Sequence, residues 1–335
     1  MGHSFDHAET SSRQSNFELL RIFCMILIIA HHFSVHSIMP ENISMLNRLI
    51  FDVFAIGGKV AVNVFVLISG YFMVKSKFKI QKLLMLIFQT FFYSIAIYII
   101  LCICGICTLN INQLFSYFFR FYNKYWFMTN YLILYAISPF LNKIICSSNK
   151  NTLKLLIICA ILLQTQILGV DLGNLIWFCT LYIISGYIRI YPNQFTNKFY
   201  LAFTTAILSF IVIILFYALG QICLWDLKNI VCLLLSISLF CTFKNIKIRN
   251  NKIINFISST TLGIYLIHDN RLLRPMLWGN WLNVNTHALY SNFWIFAISA
   301  VLLVFVVCSL IEMIRRLIEK KVLKLIFKQK TNINS

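Results

Sequence analysis

The stretch that decides the fold is NFELLRIFCMILIIAHHFSVHSIM, residues 16–39. It is long and apolar enough to cross a membrane as one helix, which takes about 20 such residues. Arg21 lies near one end, and three histidines lie towards the other: His31, His32 and His36. Ionisable side chains are costly at membrane depth, so a chain that keeps several of them usually uses them. The stretch therefore predicts a first membrane helix that carries function.

The spacing of the ionisable residues is more informative than their types. Arg21 and His32 are eleven residues apart, which is about three helical turns, so their side chains fall within roughly 20° of one another and about 16 Å apart along the axis. Met25 and Ile28 lie on the same face between them, whereas His31 points roughly 80° away from Arg21. The helix thus presents a stripe with a fixed cation at one depth and a titratable imidazole at another.

The composition extends this interpretation to the whole chain. Of the 335 residues 60% are hydrophobic and 12% are charged, whereas a soluble domain carries about 25% charged residues. The apolar residues form long blocks, so we expect an all-α, polytopic membrane protein of about ten transmembrane helices. The ten blocks are 17–39, 53–73, 83–107, 125–145, 153–168, 175–190, 199–219, 229–243, 253–273 and 293–313.

The basic residues predict the orientation. If the ten blocks alternate, 21 of the 29 Lys and Arg residues lie on the side of the termini. The opposite side has six: Arg48, Arg120, Lys124, Lys228, Arg271 and Arg274. Such an excess marks the cytoplasmic side. We expect a cytoplasmic tail over 1–16, a membrane domain over 17–313 and a basic cytoplasmic tail over 314–335. The net charge of +19 then needs no nucleic acid as partner and suits membrane lipids.

Several classes of function lack support in the sequence. No Asp or Glu lies in the middle of a predicted span, although ion-coupled transporters commonly use carboxylates there. No Walker-type, dinucleotide-binding or G-x-S-x-G motif is present, which argues against a nucleotidase and a serine hydrolase. Cys102, Cys104 and Cys107 have no histidine or carboxylate nearby, so we expect no metal site there.

An arginine, ten residues and a histidine on the first membrane helix resembles the acyltransferase family 3 proteins, which are integral membrane O-acyltransferases. Three further stretches resemble the polysaccharide-modifying branch of that family: 58–72 with SGYF, YWFMTNYLILYAISPFLN at 125–142, and TLGIYLIHDN at 261–270. The resemblance implies a bacterial plasma-membrane enzyme without a bound cofactor. Its co-substrate would be an acyl-CoA, by default acetyl-CoA, and its acceptor a hydroxyl of a surface polysaccharide or of a lipid-linked precursor.

The resemblance and the stripe together suggest roles for two residues. Arg21 would hold the phosphates of the donor, a task that suits a guanidinium. His32 would act on the acceptor hydroxyl as a base, or would carry the acyl group. Two alternatives stay open at this stage: Arg21 as an interfacial arginine paired with Glu18, and His32 as a histidine satisfied by a hydrogen bond to another helix.

The other candidate residues follow from their depth in the predicted topology. On the donor side we expect Ser69, Gly70 and Tyr71, although a glycine there also lets helices approach closely. As supporting residues near His32 we expect His31, His268 and Asp269. On the acceptor side we expect Lys59, Asn63 and Trp126, although an aromatic residue at that position also suits the membrane interface.

Two rival functions come from other classes. A polysaccharide flippase or polymerase would share the apolar composition and the polar cavities, but would not need an arginine and a histidine in register. A structural or sensory membrane protein would use its polar residues only to hold helices together. Release of free thiol from acetyl-CoA separates the first rival from an acyltransferase, and the effect of removing His32 separates the second.

Overall fold

A computed structural model describes residues 13–119, 125–165, 172–218 and 226–333 of the chain. These residues form helices and short connections, with no β-strand among them. One of the helices is a π-helix, Met276–Trp281. The α-helices are α1 (Ser15–Val35), α2 (Met45–Met73), α3 (Ile80–Ile103), α4 (Ile111–Phe119), α5 (Trp126–Ser147), α6 (Lys150–Gln164), α7 (Gly173–Ile190), α8 (Gln194–Asn197), α9 (Phe199–Ala218), α10 (Ile230–Asn245), α11 (Lys252–Ser258), α12 (Thr261–His268), α13 (Leu273–Pro275), α14 (Val284–His287) and α15 (Phe293–Ile333).

Six helices of the described residues are long and apolar enough to cross a membrane. They are α1, α2, α3, α7, α9 and α15, and each coincides with a predicted span. The all-helical class is thereby confirmed, together with the membrane character of the chain. The other four predicted spans are also helical but shorter, less apolar or interrupted, so the total of ten stays a prediction.

The predicted span 253–273 is interrupted in a way that matters for the site. Its helix breaks between α11 and α12, where the hydroxyls of Ser259 and Thr260 bond to the backbone oxygens of Phe256 and Ile257. Such local bonds compete with helix continuation. Non-helical backbone at membrane depth is tolerated where it is buried in protein or lines a cavity. As a result α12 is a short helix that ends in the protein interior, at His268.

Helix α1 lies inside the bundle, in contact with α2, α10, α11, α12 and α15. One face is packed into the core, where Leu20, Ile29 and Phe33 are fully buried. The closest approach is to α2, where Gly58 faces His31. Because glycine has no side chain, the two helices can lie closer together there than they could with any other residue at position 58.

One boundary differs from that expected. Helix α15 continues without a break past residue 313 to Ile333, so the segment 314–335 begins as a continuation of the last helix. An additional helix, α4, lies between the third and fourth predicted spans. Two basic residues that were counted on the outer side, Arg120 and Lys124, lie outside the described residues.

Candidate active site

A cavity of about 660 Å³ runs along α1. The side chains of α1 that line it extend from Glu18, in the first turn, to His36, just beyond the last, a distance of about 27 Å. The predicted stripe of α1 forms this wall: Arg21, Met25, Ile28 and His32 all line the cavity. One continuous space therefore joins the two ends of the first helix.

His32 is held at the cavity wall by a second histidine. Nδ1 of His32 lies 2.9 Å from Nε2 of His268, the last residue of α12. Nδ1 of His268 lies in turn 2.6 Å from the backbone oxygen of Ile264. His268 is fully buried, and His32 is 8% exposed. The break before α12 thus brings the end of that helix against the last turn of α1.

These contacts determine which nitrogens carry protons. A backbone carbonyl only accepts hydrogen bonds, so Nδ1 of His268 carries the proton. Nε2 of a neutral His268 then accepts, and Nδ1 of His32 donates to it. Nε2 of a neutral His32 is left with a lone pair. His32 therefore has the tautomer that a proton acceptor needs, and its ring is fixed by a neighbour.

Asp269 adds a negative charge beside this lone pair. Its Oδ1 lies 3.3 Å from Nε2 of His32 and 3.7 Å from Nε2 of His36. Arg274 holds the same residue twice, with Nη2 2.7 Å from Oδ1 and Nε donating to the backbone oxygen at 3.0 Å. Within the described part of the chain neither carboxylate oxygen has a hydrogen bond of proper geometry, although the residue is fully buried. A buried carboxylate at this distance stabilises a positive charge on His32.

Arg21 shows both features that the sequence left as alternatives. Its Nη1 donates to Oε1 of Glu18 at 2.9 Å, and Oε2 of Glu18 accepts from the hydroxyl of Ser258 on α11. Glu18 is buried, whereas the side chain of Arg21 is 30% exposed and lines the cavity. The pairing with Glu18 therefore coexists with a guanidinium that faces the cavity.

Further cations surround the same end of the cavity. Arg13, Lys82 and Arg316 line it together with Arg21. Arg13 donates to the backbone oxygen of Asn255, and Arg316 bonds to Ser259 and to Glu312. These three residues could not be distinguished in the sequence, because each is one of many basic residues at the ends of predicted spans. Their convergence gives this end of the cavity an excess of positive charge.

The candidates on α2 divide into two groups. Ser69 and Lys59 line the cavity, and the hydroxyl of Ser69 lies 3.1 Å from that of Tyr131. Gly70 lies instead against α7, where an added Cβ would meet Oγ of Ser185. The hydroxyl of Tyr71 accepts from Arg189 at 2.7 Å, and that guanidinium also lies over the tyrosine ring. Gly70 and Tyr71 thus belong to helix packing beside the cavity.

The candidates for the acceptor side also have different surroundings. Trp126 lines the cavity and is 39% exposed. Asn63 is fully buried, donates to the backbone oxygen of Leu227 and accepts from Nε1 of Trp177. It therefore joins α2 to α7 and to Leu227, which lines the cavity, while Asn63 itself is not among the lining residues of the described chain.

His31 has a separate contact on α2. Its Nδ1 donates to the backbone oxygen of Ala55 at 2.6 Å, and its ring lies against Gly58. It lines the cavity as well, but it has no contact with Asp269 at the distance that His32 shows. The two adjacent histidines therefore have different partners, as their spacing on the helix predicts.

Comparison with models of protein families identifies an acyltransferase domain over residues 14–313. That range contains every residue of the cavity wall discussed above except Arg13 and Arg316. Neither the curated proteins nor the solved structures include a match to this chain.

Proposed function

The chain belongs to this acyltransferase domain family, and we propose that it moves an acetyl group from cytoplasmic acetyl-CoA to a sugar hydroxyl. The acceptor is a bacterial surface polysaccharide or its lipid-linked precursor, and the enzyme acts in the plasma membrane with both termini in the cytoplasm. The observation that carries the proposal is His32. Its free nitrogen lies at the wall of a cavity that also reaches a cluster of cations.

The chemistry assigned to His32 is general-base catalysis. Nε2 accepts the proton of the acceptor hydroxyl while that oxygen attacks the thioester carbonyl. The carbon–sulfur bond breaks, and the thiolate leaves with the proton that His32 held. Asp269, whose Oδ1 lies 3.3 Å from Nε2, stabilises the imidazolium between the two proton transfers. The same proximity disfavours His32 as an acyl carrier, because an acyl group on Nε2 would have to share that space.

Two neighbours act on His32 without touching the substrate. His268 accepts from Nδ1 and so fixes the tautomer and the ring plane. Arg274 holds Asp269 by its carboxylate and its backbone oxygen, which keeps that carboxylate in place beside His32. Such positioning is the role that the third member of a catalytic triad has in a hydrolase.

The cationic end of the cavity suits the phosphates of the donor. Glu18 lines this end together with four basic side chains, those of Arg13, Arg21, Lys82 and Arg316. Guanidinium groups bind phosphate oxygens in pairs. Along α1 the distance from Arg21 to His32 is about 16 Å, which an extended pantetheine arm covers. The thioester would then lie beside His32 while the nucleotide stays at the cavity end.

The other end of the cavity suits a sugar. Trp126, Asn174 and Asp226 line it, and they offer an aromatic face, an amide and a carboxylate. Lys59 also lines the cavity, and within the described part of the chain its side chain has no ion pair or hydrogen bond. An unpaired ammonium at this depth suits an anionic group of the acceptor, such as a carboxylate or a lipid phosphate.

Two measurements together test this function. Membranes that contain the protein should release free thiol from acetyl-CoA when the acceptor is present, and membranes without it should not. Surface glycans from cells with the gene should be heavier by one acetyl group per modified sugar than glycans from cells without it. A flippase or polymerase would change the amount of glycan without releasing thiol. Unchanged glycan masses together with no thiol release would refute the proposal.

A further inference from the structure

Beside the proposed base, we propose a binding site for one Zn²⁺ ion, formed by His32, His36 and Asp269. Zinc bound there occupies the nitrogen that would accept the substrate proton. The site is therefore inhibitory, and this consequence, unlike the binding itself, rests on the proposed function. The general-base chemistry proposed above uses no metal at this position.

The two distances from the carboxylate oxygen to the histidine nitrogens are close to those of a tetrahedral zinc site. Zinc binds imidazole nitrogen at about 2.0–2.1 Å and carboxylate oxygen at about 2.0–2.2 Å, so two ligand atoms of one tetrahedron lie about 3.4 Å apart. Oδ1 of Asp269 lies 3.3 Å from Nε2 of His32 and 3.7 Å from Nε2 of His36. The ligand atoms of all three residues lie within 4.8 Å of one another. Small rotations of side chains close the remaining difference.

The positions along the chain favour chelation as well. His32 and His36 are four residues apart at the end of α1, so both imidazoles lie on one face with ring centroids 5.1 Å apart. Two histidines at this spacing on one helix are a recurrent zinc-binding pair. The third ligand comes from the residue that follows α12, so the site joins two separate segments.

The surroundings of the ligands match those of known zinc sites. A zinc-bound histidine almost always donates its other N–H to a carbonyl or carboxylate or another acceptor. Nδ1 of His32 has such a partner in Nε2 of His268, at 2.9 Å. Asp269 is fully buried, and among the described residues neither of its carboxylate oxygens has a hydrogen bond of proper geometry. The bond to His268 orients His32 as a ligand, whereas the ion pair of Oδ1 with Arg274 competes with a metal.

One neighbour opposes the metal. Arg274 lies 2.7 Å from Oδ1 of Asp269 and brings a fixed positive charge next to the site. Its repulsion lowers the affinity for a dication, so the site is suited to reversible inhibition and unsuited to a permanently held ion. The cavity supplies the open fourth position, since His32 and His36 both line it. Three protein ligands and one open position are typical of accessible zinc sites.

The test is direct zinc binding to the purified full-length protein in detergent, measured by competition with a chromophoric zinc indicator. Cys104, Cys146 and Cys159 are free and exposed, and cysteine thiolates are zinc ligands, so the informative quantity is the difference between variants that keep them. His36→Gln should lose one equivalent, or weaken that equivalent at least about tenfold. The matched control is His287→Gln, because His287 is stacked on Phe296 and belongs to no ligand group.

The expected result is one more zinc equivalent for the parent and for His287→Gln than for His36→Gln, with equal melting temperatures for the three proteins. Equal zinc binding by the parent and His36→Gln would overturn the site. A second readout is the ratio of thiol release with and without zinc, which should fall for the parent and recover with a chelator, but change little for His36→Gln. If zinc binds as expected and no acetyl transfer is ever detected, the proposed function fails while the metal site stands.

Discussion

Replacing Gly58 by alanine tests the contact that holds α1 against α2. A Cβ at this position would lie 2.3 Å from Cβ and 2.4 Å from Cγ of His31. Carbon atoms in ordinary contact are about 3.5–4.0 Å apart, so the shortfall is about 1.2 Å. The atom in the way is a Cβ, which cannot rotate aside without its backbone. One of the two helices must therefore move by about 1 Å.

The cost follows from this displacement. Overpacking of a close contact destabilises a protein by about 1–3 kcal/mol, and the gain from alanine over glycine within a helix offsets up to about 1 kcal/mol. The shift also strains the bond from His31 to the backbone of Ala55, now 2.6 Å long. Because His32 is the next residue, it moves as well, and a misplacement of about 1 Å at a reacting group can lower a rate about 10²-fold.

The adjacent glycine provides a matched control. A Cβ at Gly57 would lie 3.1 Å from Cδ2 of Leu27 and at least 3.6 Å from its Cβ and Cγ. The end of a leucine side chain rotates easily, so Gly57→Ala should stay within about 0.5 kcal/mol of the parent.

The assay compares the melting temperature in detergent with the transfer rate at matched amounts of folded protein. We expect Gly58→Ala to lose both stability and most of its activity, and Gly57→Ala to keep both. If Gly58→Ala melted and transferred like Gly57→Ala, the close packing of α1 on α2 would not be what positions His32.

Three further predictions concern the site and the topology. His268→Gln keeps an oxygen that can accept from Nδ1 of His32 and should retain part of the transfer rate, whereas the rate of His268→Leu should fall about 10²-fold or more. Equal transfer rates for these two variants would remove His268 from the mechanism. Arg21→Lys keeps the charge but loses the paired contacts of a guanidinium, so KM for acetyl-CoA should rise more than KM for the acceptor. An unchanged KM for acetyl-CoA would leave Arg21 with its bond to Glu18 as its role. A reagent that cannot cross the membrane should label cysteines introduced in 40–52 from outside and miss those in 75–82; the reverse pattern would invert the orientation.

The periodicity of the sequence was sufficient to predict which side chains of the first helix share a face. The stripe of Arg21, Met25, Ile28 and His32 depends only on 3.6 residues per turn, and in the structure these side chains share one cavity wall. The six helices that are long and apolar enough to cross a membrane could also be predicted, because length and hydropathy are local properties of the chain.

The residues that contact this face of α1 could not be predicted in the same way. His268 was placed at a similar height to His32, but the sequence could not show that the two rings face one another, since facing depends on how α12 packs. The convergence of Arg274 and His36 on Asp269 depends on the same packing and was not predicted. The break between α11 and α12 arises from hydroxyl-to-backbone bonds of Ser259 and Thr260, which compete closely with helix continuation.

Two candidates illustrate a different limit. Asn63 and Tyr71 were expected near the substrates because of their depth, whereas in the structure they bond to Trp177 and to Arg189 between helices. The depth of a residue along a helix can be predicted from the sequence. The neighbour that a polar side chain contacts cannot, when the helix is packed against several others as α2 is. Their expected roles in binding substrate stay predictions.

The central claim is tested most directly by the rate of acetyl transfer from acetyl-CoA in His32→Ala, compared with His31→Ala at matched amounts of folded protein. Loss of a general base costs about 10²–10⁴ in rate, so His32→Ala should be inactive. His31→Ala loses the bond to Ala55 and the packing against Gly58, both on α2, and should keep part of the activity. Transfer at the parent rate by His32→Ala would contradict the account, and an active His32→Ala beside an inactive His31→Ala would move the catalytic role to the neighbouring face of α1.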